Sequence, residues 1–284
     1  MKITPLKRTI IAILLVLSIL PVSLAWGAPL LGPLPPAPPP IPTPPATGYD
    51  HYTILQAPDG NPNQHEPGTP DNDMIAQYGD MNTASQYAEG AAGNDWLLQV
   101  GGDKKSNQTA SAGDGNDTVY QYGGKGDSNQ YADGGFGNQT FIQVGGQGNN
   151  TMIIHAGTGI AHIEQYGGSG NNTIDVTGST GDDVIAMYGG QGNDTMTYNV
   201  TGGNDLVTIM GGGGYNNLTI NKNLQNFTLK DYQGKVLFQT GAGGSTITVA
   251  NLQHITALGD EGKPIYTYNA GIVPASLAPL LLLN

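Results

Sequence analysis

The sequence has no cysteine and few cations, and its apolar runs are short for a membrane-spanning helix. Without cysteine there are no disulfides and no cysteine-ligated zinc sites. Ten Lys and Arg against 22 Asp and Glu give a net charge of −12, which argues against a nucleic-acid partner. The fold must therefore be held by hydrogen-bonded ladders, by side-chain stacking or by metal ions.

Catalytic motifs are also missing. The sequence contains no HExxH zinc motif and no GxSxG nucleophile elbow, and its five His are scattered. We therefore expect no enzymatic activity and no small-molecule substrate.

A strict eleven-residue repeat fills the middle of the chain. It runs from Gly68 to Asn221 as fourteen units without insertion or deletion, and the clearest unit is GGQGNDTMTYN, Gly189 to Asn199. Positions 1 to 5 of a unit carry Gly, Asn and Asp, which favour turns. Positions 6 to 11 alternate, which predicts a strand with positions 8 and 10 inward. Odd and even units differ, so the true period is 22 residues. The pattern predicts an all-β parallel β-solenoid, similar to a β-roll, with about seven coils of two strands each.

The predicted inner face changes along the chain. Early coils place glutamine at position 10 of odd units (Gln77, Gln99, Gln121, Gln143, Gln165) and at position 8 of even units (Gln86, Gln108, Gln130); later coils place Met, Ile, Val and Leu there. A buried amide is costly unless it is hydrogen-bonded, and stacked glutamines can bond one another as in cross-β ladders. The alternative is an inverted strand whose glutamines face solvent.

The flanking segments differ from the repeats in composition. The basic start, the apolar stretch Ile10 to Leu20 and the small residues ending at Ala25 predict a secretory signal, hence a secreted or extracellular protein that could be associated with the cell surface. An uncleaved membrane anchor is the alternative. The sequence divides into a signal peptide (1–25), a proline-rich polyproline II linker (26–48), an N-terminal cap or lead-in (49–67), the solenoid (68–221), a β-rich C-terminal cap (222–271) and an apolar tail (272–284), which is either a docking strand or frayed.

The turn sequences resemble the calcium-binding nonapeptide of RTX proteins. GGQGNDTMT (Gly189 to Thr197), AGDGNDTVY and GAAGNDWLL are similar to the family's GGxGxDxUx motif, and TITVANLQHITAL resembles the region that follows RTX arrays. The units here are eleven residues rather than nine, and most even units lack the aspartate. The resemblance implies Ca²⁺ bound between neighbouring coils by the aspartates at position 6: Asp73, Asp95, Asp117, Asp183, Asp194 and Asp205.

A second resemblance is to curlin, the subunit of curli amyloid fibres. The segment from Gln77 to Ala84 is similar to curlin's Gln-x-Gly-x-Gly-Asn-x-Ala pattern except at the second Gly, and the glutamines recur every 22 residues. The sequence therefore supports two hypotheses. The first is a secreted, calcium-binding β-solenoid with a structural or adhesive role, whose partners are calcium and either itself or surface and matrix components. The alternative is a curlin-like self-assembling fibre subunit.

One outward row is aromatic or apolar. Position 11 of the odd units reads Tyr78, Val100, Tyr122, Val144, Tyr166, Tyr188 and Met210. We call this row the stripe. It is interpreted either as a contact surface or as cross-strand pairing that stabilises the sheet.

Overall fold

The computed structural model describes residues 26–27, 30–57, 63–80, 84–222 and 225–270, and none of these is helical. The expected signal peptide and apolar tail lie outside the described residues. The described part is a parallel β-solenoid, as the repeat predicts. Each coil contains one strand of sheet 1, a turn, one strand of sheet 2 and a second turn.

Two eleven-stranded sheets form the described walls of the solenoid. Sheet 1 runs, from the N-terminal end, through β2 (His51–Gln56), β4 (Asp73–Tyr78), β6 (Trp96–Val100), β8 (Asp117–Tyr122), β10 (Gln139–Val144), β12 (Ala161–Tyr166), β14 (Val184–Gly190), β16 (Leu206–Gly212), β20 (Ser245–Ala250), β18 (Phe227–Asp231) and β19 (Val236–Gln239). Sheet 2 runs through β3 (Asn63–Glu66), β5 (Ala84–Glu89), β7 (Ser106–Ser111), β9 (Ser128–Asp133), β11 (Asn150–His155), β13 (Thr173–Thr177), β15 (Thr195–Asn199), β17 (Asn217–Asn221), β21 (His254–Leu258), β22 (Pro264–Ala270) and β1 (Trp26–Gly27).

The strands pair in the 22-residue register that the repeat predicts. Phe141 lies between Val119 and Ile163 in the ladder of sheet 1. The count of seven coils is too low, because roughly nine are stacked. The segment before Gly68 pairs in the same register, with His51 opposite Asp73, although it lacks the glycine-rich turn. A further coil, β20 and β21, follows an inserted hairpin, and Leu206 pairs with Thr246. Strand pairing continues the stack where the turn motif has ended.

Positions 8 and 10 point inward throughout the stack. Gln77, Gln99, Gln121, Gln143 and Gln165 are all fully buried, so the alternative with solvent-facing glutamines is wrong. The side-chain amides of the first four are bonded both to a glutamine of a neighbouring coil and to a carbonyl of the facing sheet, and Gln165 ends the row by donating to Gln143. Gln99 Nε2 donates to Gln77 Oε1 in the coil before it at 2.9 Å, and to the carbonyl of Thr109 on the facing sheet at 2.9 Å. The amides therefore link both neighbouring coils and facing sheets.

The two ends of the stack differ. At the C-terminal end the β18–β19 hairpin covers β20, and its own Phe227 and Leu229 are fully buried. β22 returns antiparallel along β21 and covers that edge of sheet 2. At the N-terminal end, no described strand pairs with the outer edges of β2 and β3, and the inward side chain of Leu55 is half-buried.

Residues 30–48, which we call the arm, lie along the outer face of sheet 1. The arm begins beside the last coil, where the amide of Asn251 donates to the carbonyl of Leu30 at 2.5 Å. It passes the middle of the stack, where the Tyr122 hydroxyl donates to the carbonyl of Pro40 at 2.9 Å. Tyr49, just after the arm, packs against the Met74–Trp96 cluster of the early coils. The proline-rich segment thus contacts the solenoid along its length, where the sequence predicts a spacer.

Candidate metal centre

The six aspartates lie at the corners of the coils, each at the start of a strand or within two residues before it. All six are at most 2% exposed. The side chain at position 6 turns inward beneath the residue at position 1 of its own unit. A β-carbon added to Gly90 would lie 2.4 Å from Asp95 Oδ2 and 2.2 Å from the carbonyl oxygen of Ala112. Glycine at position 1 therefore makes room for the carboxylate.

The first carboxylate oxygen links neighbouring coils. The amide of Asp73 donates to Asp95 Oδ1 at 2.7 Å, and the amide of Asp95 donates to Asp117 Oδ1 at 2.8 Å. The same bond joins the amide of Asp183 to Asp205 Oδ1 at 3.0 Å. Every one of the six carboxylates except that of Asp73 accepts the amide of the residue 22 positions earlier, a role that the sequence motif alone does not indicate.

The second oxygen divides the aspartates into two groups. In the first group the chain supplies a donor for it. Thr69 donates its amide and hydroxyl to Asp73, and Ser179 does the same for Asp183. The hydroxyls of Tyr198 and Ser245 donate to Asp205 Oδ2 at 2.5 and 3.0 Å. A hydroxyl residue four positions before Asp73 and Asp183 was the signal available in the sequence.

In the second group, Oδ2 of Asp95, Asp117 and Asp194 is buried without a hydrogen-bond partner in the described part of the chain. Position 2 holds Ala91, Gly113 and Gly190 in these units, so no hydroxyl is present there. Burial raises the pKa of Asp95 to about 7, and the charge of Asp117 adds to the rise. Burial also raises the pKa of Asp117, and that of Asp194 to about 6. A proton or a cation at the second oxygen would stabilise each of these three carboxyl groups.

Position 6 of the even units shows which side chain usually fills this corner of the coil. Asn150 Nδ2 donates to the carbonyl of Gly167 at 2.7 Å, and Asn172 Nδ2 donates to that of Gly189 at 3.0 Å. Asp194 is the next residue of this row. Its Oδ2 and the carbonyl oxygen of Gly211 both lie 2.4 Å from where a β-carbon of Gly189 would be. At Asp194, a carboxylate oxygen that accepts hydrogen bonds therefore takes the place of the amide donor that Asn150 and Asn172 present to a carbonyl oxygen.

The oxygen atoms at one corner of the solenoid, near Asp95 and Asp117, are suitable ligands for a hard cation. Asp95 and Asp117 lie in adjacent coils, each with an open oxygen, and the carbonyl of Ala112 lies beside Asp95 Oδ2. Carboxylate and carbonyl oxygens are the ligands that Ca²⁺ prefers, although a full shell needs six to eight. Within the described ranges, no three His, Asp or Glu side chains converge as a ligand set. Asp73, Asp183 and Asp205 are already satisfied by the chain, and Asp194 has Asn172 and Asn216 as its row neighbours.

Comparison with known proteins adds no assignment. No protein-family model, curated protein or solved structure matches the chain. In the part of the chain that the structure describes, no helix is long and apolar enough to cross a membrane.

Proposed function

We propose that this chain is a secreted β-solenoid with a structural or adhesive role at the cell surface or in an extracellular matrix, and that it binds calcium through Asp95 and Asp117. The role is binding rather than catalysis. The open carboxylate oxygens of these two aspartates, in adjacent coils, are the observation that supports the calcium site.

A calcium ion at this pair has a clear electrostatic effect. Two buried carboxylates in adjacent coils repel one another when both are ionised, and a divalent cation between them removes that repulsion. Calcium competes with the proton, since the raised pKa of Asp95 means that its carboxyl is partly protonated near neutral pH. Calcium affinity should therefore rise between pH 6 and pH 8.

Isothermal titration calorimetry with Ca²⁺ tests the site. The double variant Asp95→Asn/Asp117→Asn keeps an acceptor oxygen for each ladder bond but removes both charges, and we expect it to lose binding. The matched control is Asp183→Asn/Asp205→Asn, whose carboxylates are already satisfied and which should bind calcium like the unchanged chain. No binding below about millimolar at pH 8, or equal loss in both variants, contradicts the proposal.

The second candidate function is a self-assembling fibre subunit. Two glutamine ladders favour it, because amide ladders stabilise stacked coils between chains as well as within one. Gln86, Gln108 and Gln130 each donate to the glutamine 22 residues earlier at 2.9 Å. The uncovered edges of β2 and β3 offer a starting point for pairing. Electron microscopy of the full chain, incubated for hours with and without calcium, separates the two: abundant fibres favour this candidate over the first.

A further inference from the structure

The arm covers the stripe as a polyproline ligand covers an aromatic groove. Between Gly32 and Pro42 its half-buried residues recur every three or four positions, at Gly32, Pro35, Pro39 and Pro42, and Leu30, Pro44 and Pro45 are half-buried beyond that stretch. That spacing is the period of a polyproline II helix docked on one side. Tyr122 and Tyr166 beneath it are buried, although they occupy outward positions of their strands. The arm is therefore the occupant of the stripe, which answers whether this row is a contact surface.

The arm is held loosely. Leu30 packs against the main core, but Leu31 and Leu34 point to solvent and are 77% and 80% exposed. A cavity of about 570 Å³ remains between the arm and the later coils, lined by Pro35, Pro38, Tyr166 and Tyr188 among others. Prolines donate no backbone hydrogen bonds, and the side-chain hydrogen bonds to the arm lie at its start, from and to Asn251, and in its middle, at Pro40. Detaching the arm also separates β1 from β22 and uncovers Leu30, but it leaves the inward-facing rows of the two sheets in place.

The arm is joined to the first coil by a glycine in an unusual conformation. Gly48 has a φ of +102° and is exposed, and an added β-carbon would meet nothing within 4 Å. Strand β2 begins three residues later and forms the uncovered edge of sheet 1. Its Tyr52 and Ile54 are exposed. A hinge thus lies beside an open strand edge.

We propose that two copies of the chain exchange arms across their first coils. Rotation at Gly48 would extend the arm of each copy beyond the N-terminal end of its own solenoid and onto the stripe of the other. The partner is a second copy of this chain, because the stripe already binds this segment in this direction. The inference does not depend on calcium binding.

The geometry of the exchange is self-consistent. When two solenoids meet end to end at their first coils, an exchanged arm still runs along the stripe from the first coil to the last, and it can keep every contact that it makes within one chain. A nine-coil stack is about 40 Å long and the arm, at about 3 Å per residue, reaches about 55 Å. The two β2 edges meet antiparallel about a two-fold axis, which covers both open ends. Because the C-terminal ends are capped by β19 and β22, the assembly closes as a dimer.

The arm's contacts are equal in both forms, so the new contact between the β2 edges decides the equilibrium. That contact must offset the lost translational and rotational freedom of one chain. The dimer should therefore gain on the monomer as the protein concentration rises.

An engineered disulfide reports which chain's arm occupies the stripe. A β-carbon on Gly32 would lie 3.6 Å from the β-carbon of Tyr232, which suits a disulfide. It would also lie 2.5 Å from the β-carbon of Ala250, so the test chain is Gly32→Cys/Tyr232→Cys/Ala250→Gly. The natural chain has no cysteine, so the two introduced thiols are the only ones, and Tyr232→Cys alone controls for pairing between like cysteines of two chains. The full chain is oxidised at several concentrations and run on non-reducing gels, with sedimentation velocity on the same samples.

We expect an intrachain bond at low concentration and a covalent dimer at high concentration, with no larger species. Gly48→Pro in this background should raise the dimer fraction several-fold, because proline cannot adopt the positive φ of the closed hinge. Ile54→Lys should lower it by placing a charge at the meeting edges. An intrachain bond alone at every concentration, including with Gly48→Pro, overturns the proposal. So does a ladder of larger multimers, or equal dimer from Tyr232→Cys alone.

Discussion

The two halves of the solenoid share one backbone but have different cores. In the N-terminal coils, glutamine amides fill position 10 of sheet 1 from Gln77 to Gln165, and small alanines such as Ala88 face them. In the C-terminal coils, Met187, Ile209 and Val249 continue the same row without polar atoms. Coil spacing and register are the same in both halves, so the backbone ladder is sufficient to set them.

The difference lies in what each core requires of its neighbours. An amide inside the ladder needs the same residue above and below, because a glutamine such as Gln121 donates to one neighbour and accepts from the other. An aliphatic side chain needs only matching volume. Substitutions at equivalent positions should therefore have unequal effects in the two halves.

Gln121→Leu should give the largest of these effects. It removes the acceptor of Gln143 Nε2, the donor to Gln99 Oε1 and the donor to the carbonyl of Tyr131. Each buried group left unpaired costs about 1–3 kcal/mol, so we expect the free energy of unfolding to fall by about 3 kcal/mol or more. Met187→Leu, at position 10 in the C-terminal half, should cost less than about 1.5 kcal/mol.

Native-state hydrogen exchange measures both variants locally, which suits a solenoid whose coils need not unfold together. Protection should fall in β6, β8 and β10 for Gln121→Leu, and change little in β14 for Met187→Leu. Equal losses in both halves would show that the amide ladder behaves as ordinary packing.

The two halves should also respond differently to pH. The folded-state pKa of Asp95 is about 7 against an ordinary value of 3.8, so the folded chain binds more protons between these values. This stabilisation is complete below about pH 4 and is lost as pH rises through about 7. We expect the free energy of unfolding of the N-terminal coils to fall by up to about 3 kcal/mol between pH 4 and pH 8.

Trp96, in β6, reports on these coils once Trp26, the other tryptophan, is replaced by Phe. Denaturant unfolding followed by its fluorescence should give a lower midpoint at pH 8 than at pH 5. Millimolar calcium should restore part of the midpoint at pH 8 if Asp95 and Asp117 bind it. A midpoint that rises with pH would contradict the raised pKa.

The sequence predicts the period, the inward positions and the glutamine rows, because alternation and turn chemistry are local properties. It underestimates the number of coils, because the pairing of β2 with β4 depends on an adjacent ladder rather than on the glycine turn. It does not separate Asp73 from Asp95. That distinction depends on whether Thr69 or Ala91 stands four residues earlier, and it becomes visible once the carboxylate is known to turn inward. The sequence also does not predict where the arm lies, since a proline-rich composition is equally typical of free linkers.

Asp194→Asn should give the smallest effect, with the opposite sign. Asparagine restores the donor that Asn150 and Asn172 present at this corner, and it ends the contact between two acceptors at Gly211. Because the pKa of Asp194 is raised to about 6, the native carboxyl is ionised and unfavourable at pH 8 and protonated at pH 4. We therefore expect the free energy of unfolding to rise by about 1–2 kcal/mol at pH 8, and this gain should shrink towards zero at pH 4.

Asp205→Asn is the matched control, since its amide group would face the hydroxyl donors of Tyr198 and Ser245, and it should destabilise the chain at pH 8. Urea unfolding at both pH values measures the pair, and a pH-independent gain from Asp194→Asn would mean that the carboxyl does not titrate in this range.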